Sequence, residues 1–166
     1  MKSNQRVRRG RFKATAAPLL QAQIDINAPA PRVWSLITDF SRMPQWSPQC
    51  RMMKMFGSLR PGARTVNINR RKFQFWPTTC TVTEVIPEQK VAFRVDINGL
   101  IWSYYELQPT EQGTRVIESR HAENGARPVA NFAVTAFFGG VPSFERELVE
   151  GMNASLVRIK AAAESG

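Results

Sequence analysis

Three side chains on two neighbouring predicted strands have the types needed for acid–base chemistry: Tyr104, Glu118 and Arg120. A tyrosine, a carboxylate and an arginine that are aligned against a substrate in a dry pocket can move a proton or orient a carbonyl group. His121 follows Arg120, but a lone histidine beside an arginine is more often a surface residue than a catalytic one. The three candidates can act together only if the fold brings them to one pocket.

Recognised motifs for catalysis or phosphate binding are absent from the sequence. It has no G-x-S-x-G nucleophile turn and no phosphate loop, and Gly139-Gly140 lacks the third glycine of a dinucleotide site. One histidine and two cysteines are too few for a structural zinc site. We expect no metal and no organic cofactor, and we interpret Cys50 and Cys80 as reduced core residues rather than a disulfide.

The hydrophobic pattern predicts a strand, two short helices, six more strands and a long helix. Alternation predicts the first strand over Leu20–Asn27, and helical spacing predicts short helices over Arg32–Asp39 and Arg42–Trp46. The remaining strands are predicted over Arg51–Phe56, Thr65–Phe75, Thr78–Ile86, Val91–Ile97, Leu100–Leu107 and Thr114–Glu123. Because short turns join these strands, the sheet should be antiparallel.

The last predicted element is an amphipathic helix over Pro142–Glu164. Its apolar stripe consists of Phe144, Leu148, Met152, Leu156, Ile159 and Ala163. The predicted fold is therefore α+β, with a seven-stranded antiparallel sheet curved around one long C-terminal helix. One helix is only ~10 Å wide and cannot fill the concave face of such a sheet, so a cavity can remain for a small ligand.

The Asn98-Gly99 turn allows side chains to be assigned to the concave face. A two-residue hairpin there pairs Val95 with Trp102 and Phe93 with Tyr104, and paired residues point to the same side. The predicted ligand-binding residues are Phe93, Val95, Trp102, Tyr104, Arg120, Phe137, Leu148 and Met152. Phe137 is included because the apolar stretch 129–138 could close over the cavity as a lid. The alternative for the aromatic residues is that they only fill the core.

The register of the last strand decides whether Glu118 and Arg120 reach the cavity. The favoured register places Glu118 opposite Tyr104 and Arg120 opposite Trp102, as a buried Glu–Arg pair. A shift by one residue would turn both side chains to water and bring their odd-numbered neighbours inward.

The chain has 166 residues, which is the length of one domain, and a net charge of +10. We expect residues 1–18 to form a flexible basic arm and residues 19–166 to form a ligand-binding domain. The arm cations expected to contact an anionic membrane or RNA are Arg6, Arg8, Arg9 and Arg11. A second copy of the chain could also order the arm, as a homodimer. Because no apolar stretch of sufficient length follows Arg8-Arg9, we expect a cytoplasmic protein without an export signal.

Several short motifs resemble one protein superfamily. The run Ile24-Asp25-Ile26-Asn27-Ala28-Pro29, followed by Val33-Trp34 and by Asp39 with Pro44 and Trp46, resembles the opening of the START-like (SRPBCC) superfamily. Gly113-Thr114-Arg115-Val116 and the helix motif around Gly151-Met152 are similar to its bacterial polyketide cyclase/dehydrase and lipid-transport branch. The resemblance covers residues 19–164. It implies a helix-grip fold with a hydrophobic cavity, in a family that binds lipids, polyketides, sterols or quinones and includes some cyclases.

Three functions remain open at this point. The favoured hypothesis is a non-enzymatic binder or carrier of a hydrophobic small molecule. The second is a polyketide cyclase, aromatase or dehydrase that uses Tyr104, Glu118 and Arg120. The third is a protein that docks on RNA or on an anionic membrane through its basic arm.

Overall fold

The computed structural model describes residues 19–96, 101–122 and 141–166, with side chains at all of these positions except 101–104 and 141. The strands are β1 Leu19–Ile26, β2 Cys50–Phe56, β3 Arg64–Arg71, β4 Gln74–Ile86, β5 Lys90–Val95, β6 Ile101–Pro109 and β7 Thr114–His121. The helices are α1 Ala30–Ile37, α2 Met43–Trp46 and α3 Val141–Glu164, with a 3-10 turn at Phe40–Arg42. The predicted architecture is confirmed. The predicted arm (residues 1–18) and Phe137 lie outside the described residues.

The strands form one antiparallel sheet in the order β1-β7-β6-β5-β4-β3-β2. Strands β2 to β7 form a meander, and β1 pairs with β7 from Leu19 opposite His121 to Ile26 opposite Thr114. The Thr114 hydroxyl donates a hydrogen bond of 2.9 Å to the carbonyl oxygen of Ala28, which fixes the exit of β1. The two edge strands of the sheet are therefore β1 and β2, which are consecutive in the chain.

Helix α3 lies across the concave face, as its apolar stripe predicts. Leu156 and Ile159 are 1% and 0% exposed, and they contribute to the main core with β1 and β7 residues. Arg32 on α1 secures the far end of the helix, because its Nε donates to the carbonyl oxygen of Ala163 at 2.7 Å. A helix end leaves carbonyl groups without helical partners, so this contact satisfies one of them.

One predicted strand boundary is wrong. The sequence predicts a strand over Thr65–Phe75, but the chain turns at residues 72–73 and β4 begins at Gln74. Lys72 takes a left-handed φ of 53°, a conformation that glycine or asparagine more often supplies. Since the turn contains neither residue type, nothing in the pattern marked it. The predicted strand over Thr78–Ile86 is likewise too short, because β4 begins four residues earlier and includes Pro77.

The predicted pairing of β5 with β6 is also wrong. Phe93 pairs with Trp102 and Val91 pairs with Tyr105, whereas the sequence predicted Phe93 with Tyr104 and Val95 with Trp102. An irregularity in β6 inserts one residue between these two pairs, and a bulge of this kind moves the following side chains to the other face. Tyr105 is consequently the buried tyrosine, at 1% exposure. The side chains of residues 102 and 104 lie outside the described ones.

Candidate functional site

A cavity of about 170 Å³ lies between the concave face of the sheet and the first half of α3. The residues that line it come from α2 and the segment after it, from five strands and from α3. They are Met43, Ser47, Pro48, Gln49, Cys50, Met53, Asn67, Asn69, Trp76, Thr78, Cys80, Val95, Glu118, Phe144, Leu148, Gly151, Met152 and Ser155. In the second half of α3, Leu156, Ile159 and Ala163 belong to the main core.

One wall of the cavity is polar because β3 turns its polar face inward. Asn67 is 4% exposed, while Val66 and Ile68 lie on the other face and are only half-buried. Asn67 Nδ2 donates to the Sγ atom of Cys80 at 3.2 Å, and Asn69 Nδ2 donates to the hydroxyl of Thr78 at 3.0 Å. Within the described part of the chain, Asn67 Oδ1 has no hydrogen-bond partner. This wall therefore contains a buried acceptor that the described residues leave unsatisfied.

Glu118 is the acidic group of the cavity. It is 6% exposed, and its Oε2 atom has no hydrogen-bond partner among the residues that the structure describes. Burial raises the pKa of this carboxyl group to about 8, because removal from water penalises the charged form. The residue lies on β7 opposite Ala22 of β1 and opposite the irregularity in β6. At neutral pH, Glu118 is consequently a protonated acid that can donate a hydrogen bond into the cavity.

Arg120 forms its ion pair with α3 rather than with Glu118. Arg120 Nη2 lies 2.8 Å from Glu145 Oε1, and the side chains are 3% and 15% exposed. The register places Arg120 opposite Trp102, as predicted, and both Glu118 and Arg120 point inward. The expected Glu118–Arg120 pair is replaced because α3 brings a second carboxylate to the guanidinium.

The two cysteines are buried free thiols in the cavity wall. Burial raises the pKa of Cys50 and of Cys80 to about 11. Both groups are therefore protonated at neutral pH, and a protonated thiol is a poor nucleophile. They contribute polarizable surface to the cavity.

An ion pair joins the end of β3 to α3. Arg71, at the end of β3, donates from Nε to Glu147 Oε2 of α3 at 2.6 Å. Asn69 and Trp76, which are opposite each other on β3 and β4, lie beside this ion pair and line the cavity. This contact connects the tip of the β3–β4 hairpin to the start of the long helix.

The predicted site residues are distributed over several locations. Val95, Glu118, Leu148 and Met152 line the cavity. Phe93 lies in the core, where its ring packs edge-on against Phe40 with centroids 5.2 Å apart. The side chains of Trp102 and Tyr104, and the whole of Phe137, are outside the described residues.

Sequence reasoning missed the polar wall, which consists of Asn67, Asn69 and Thr78. The alternation of β3 separates Asn67 and Asn69 from Val66 and Ile68, but it does not show which of the two faces is buried. The face that a strand buries is set by its neighbours in the sheet, so the alternation alone could not decide it.

A second, larger cleft of about 340 Å³ lies where β1, the β6–β7 turn and the end of α3 meet. Three of its charged groups already have partners: Arg115 Nε lies 2.7 Å from Asp25 Oδ1, and Lys160 Nζ donates to the carbonyl oxygen of Asp25 at 2.6 Å. Because Glu118 and Asn67 still have polar atoms to satisfy, we place the candidate site in the smaller cavity.

The described residues contain neither a metal-binding cluster nor a membrane-spanning helix. The residues at 19–96, 101–122 and 141–166 contain no group of three or more His, Cys, Asp or Glu side chains that could hold a metal ion. Over the same ranges, no helix has the length and apolar character required to cross a bilayer.

The fold is similar to several solved structures. The di-domain ARO/CYC StfQ from the steffimycin biosynthetic pathway matches with a TM-score of 0.70 and 13% identity, over 89% of this chain and 51% of StfQ. The Polyketide_cyc-like protein Cgl2372 from Corynebacterium glutamicum matches with a TM-score of 0.61 and 24% identity, over 88% of this chain and 91% of Cgl2372. The di-domain ARO/CYC BexL from the BE-7585A biosynthetic pathway matches with a TM-score of 0.65 and 17% identity, over 88% of this chain and 50% of BexL.

This chain therefore spans about half the length of the two di-domain proteins. At these identities the likeness shows the fold alone. Comparison with curated protein sequences gave no significant match. The sequence model of one family matches residues 18–164, which include every described strand and helix and the whole lining of the cavity. The chain belongs to this family, polyketide cyclase/dehydrase and lipid transport.

Proposed function

We propose that the protein binds a hydrophobic small molecule, of lipid-, polyketide- or quinone-like chemistry, in the cavity between the sheet and α3. The observation that carries the proposal is a mostly apolar cavity with one buried acid, Glu118, whose Oε2 has no hydrogen-bond partner in the described chain. Buried polar atoms in proteins are almost always paired, so an unpaired one in a cavity wall favours a ligand or water there.

The size of the cavity limits what it holds. An apolar cavity of about 150 Å³ accommodates a benzene molecule, whereas drug-sized ligands occupy pockets of about 300–1,000 Å³. The volume of about 170 Å³ therefore suits one ring or a short acyl segment. We propose that the bound group is a small ring or the terminal part of a longer molecule.

The polar groups define which end of the ligand enters. A protonated Glu118 donates one hydrogen bond, and Asn67 Oδ1 accepts one. A ring that carries a carbonyl oxygen toward Glu118 and a hydroxyl toward Asn67 would satisfy both atoms. A simple saturated acyl chain would leave both without partners, at a cost of about 1–3 kcal/mol each.

Native mass spectrometry of the purified protein, followed by organic extraction, tests the proposal. We expect a defined bound molecule that survives desalting and is recovered by extraction. Ser155→Leu places a larger side chain in the cavity and should abolish binding. The matched control is Asn153→Leu, two residues earlier on α3, where the side chain is exposed. A folded wild-type protein that retains no ligand, and takes up none from lipid or quinone extracts, would contradict the proposal.

A second candidate function is a cyclase or dehydrase activity, and the raised pKa of Glu118 supports it. An acid that is protonated at neutral pH can donate a proton to a carbonyl or hydroxyl oxygen of a bound substrate. Two proteins of similar fold are described as ARO/CYC proteins. If this function is correct, Glu118→Gln should abolish turnover of an aromatic polyketide precursor while leaving its binding intact. Binding without turnover in the wild type would favour the carrier.

A further inference from the structure

The turn between β3 and β4 exposes two aromatic side chains, Phe73 and Phe75. Phe73 is 94% exposed and Phe75 is 62% exposed. Met52, on the outer face of the adjacent strand, is 40% exposed. We refer to residues 70–75 as the hairpin tip. Contiguous exposed apolar side chains of this size mark interaction sites more often than isolated ones do.

The hairpin tip is also strongly basic. Arg70 and Lys72 have no acidic neighbour in sequence, because residues 40–83 contain no aspartate or glutamate. Arg71 already has a partner in Glu147 of α3. Arg70 Nε donates to the carbonyl oxygen of Lys72 at 2.6 Å, and the charge of Lys72 helps to lower the pKa of Glu147. Neither cation forms an ion pair within the described chain, and both lie beside an almost fully exposed phenylalanine. A surface of this composition has the chemistry of a membrane-interfacial anchor.

We propose that the hairpin tip docks on the surface of an anionic lipid bilayer, with Phe73 entering the interface and Arg70 and Lys72 contacting lipid headgroups. Transfer of an exposed ring out of water is favourable, and each cation near an anionic surface adds to the attraction. The left-handed turn at Lys72 directs the chain back within two residues, so the ring of Phe73 lies at the extreme end of the hairpin.

The geometry favours a membrane over RNA. Stacking on nucleic-acid bases requires open ring faces on a flat platform. The guanidinium of Arg70 lies over the ring of Phe75, 5.4 Å from its centroid, and occupies one of those faces. A single ring at the end of a hairpin suits insertion into a soft interface better than it suits stacking.

The tip is adjacent to one end of the cavity. Asn69 and Trp76, which pair directly before the tip, both line the cavity, and Arg71 connects the tip to Glu147 of α3. A docked tip would therefore hold this end of the cavity at the bilayer surface. This part of the inference rests on the proposed function, since it implies that the ligand is exchanged with the membrane.

Co-sedimentation of the full chain with vesicles tests the docking. The vesicles contain either phosphatidylcholine alone or equal parts of phosphatidylcholine and phosphatidylglycerol. We expect binding to the anionic vesicles, weakened by salt. Phe73→Ser should reduce the partition coefficient about tenfold, and Lys72→Asn should reduce it about fivefold while tolerating the left-handed φ.

Matched controls separate the tip from general effects. Val157→Ser also removes an exposed apolar side chain, but on α3, and Arg60→Gln removes an exposed cation at the β2–β3 turn. Both should change the partition coefficient less than twofold. Phe73→Cys labelled with an environment-sensitive fluorophore should shift its emission to shorter wavelength when anionic vesicles are added.

Three outcomes would overturn the proposal. The first is binding unaffected by Phe73→Ser and lost only when Arg6, Arg8, Arg9 and Arg11 are replaced by glutamine, which would assign docking to the arm. The second is a tip that binds single-stranded RNA but not anionic vesicles. The third is that the protein binds the anionic vesicles no more strongly than it binds vesicles of phosphatidylcholine alone. Ser155→Leu should retain vesicle binding, so failure of the cavity function and failure of docking are distinguishable.

Discussion

The guanidinium of Arg120 lies 2.8 Å from the carboxylate of Glu145, and this contact joins the inner face of β7 to the first turns of α3. Both groups are largely removed from water, so their attraction offsets part of the cost of burying each charge. The pair holds the helix over the half of the sheet that contains the cavity. Glu118, two residues before Arg120, lies on the same inner face and lines the cavity.

Breaking the Arg120–Glu145 pair from one side should be strongly destabilising. Glu145→Gln leaves a buried guanidinium without its carboxylate, and the expected loss is about 3 kcal/mol in the free energy of unfolding. Urea denaturation followed by circular dichroism measures this loss. The double variant Arg120→Met with Glu145→Leu removes both charges and should recover most of it. Equal losses in the single and double variants would show that the pair is not the cause.

The buried acid predicts an unusual dependence of stability on pH. Glu118 ionises near 4.5 in the unfolded chain and near 8 in the folded one. Between these values the unfolded state releases a proton that the folded state keeps, so stability falls as pH rises, by up to about 1.4 kcal/mol per pH unit. Below about pH 4 both states are protonated and the penalty is absent.

Glu118→Gln should therefore be more stable than the wild type at pH 8, and the difference should vanish near pH 4. Chemical denaturation at a series of pH values gives the comparison. Glu145→Gln, which removes a carboxylate that is already paired, should show no gain in stability at pH 8. A parallel pH profile for Glu118→Gln and wild type would contradict the assigned protonation state.

For the ion pair between Arg71 and Glu147 at the hairpin tip, stability should change with pH in the opposite direction. The hydrogen bond from Arg71 lowers the pKa of Glu147, so the pair stabilises the fold above the ordinary pKa of 4.5 and loses this contribution as pH falls through the lowered value. The effect should be small because the carboxylate is partly exposed to solvent. Glu147→Gln should lower the melting temperature slightly at pH 7 and leave it unchanged below pH 3. A larger loss at acid pH would contradict this sign.

Replacing glycine by alanine should have opposite effects on stability at Gly113 and at Gly151. A Cβ atom at Gly113 would lie 2.2 Å from the carbonyl oxygen of Ile26 and 2.7 Å from the amide nitrogen of Ala28. Backbone cannot yield to such contacts, so Gly113→Ala should cost about 3 kcal/mol or more. At Gly151 the nearest atom is Pro48 Cγ, at an ordinary 3.6 Å, and Gly151→Ala within α3 should stabilise by about 0.5–1 kcal/mol. Thermal denaturation of both variants tests these two predictions.

The thiols should be unreactive in the folded protein. Cys50 and Cys80 are buried with pKa values near 11, so a disulfide reagent at pH 8 should modify them only after denaturation. Phe73→Cys provides the matched exposed thiol and should react within seconds. Fast reaction of the wild type would indicate that the cavity opens readily to solvent.

The sequence alone was sufficient to predict the architecture. The buried faces can be read from the alternation over β1 and from the spacing of Leu148, Met152 and Leu156 on α3. Each strand or helix shows this pattern within its own sequence, because apolar residues recur on the buried face with the period of the element. The charge asymmetry of residues 40–83 was equally visible. The hairpin tip was not, because the residues of its turn, Lys72 and Phe73, carry no turn signal.

Only the tertiary structure decided the contents of the site. The irregularity in β6 made Tyr105 the buried tyrosine, and α3 supplied Glu145 as the partner of Arg120. The tertiary structure also turned Asn67, rather than Val66, toward the cavity. Each of these outcomes depends on contacts between segments far apart in the chain. A one-residue change in register reverses the face of every later side chain, and no local pattern records it.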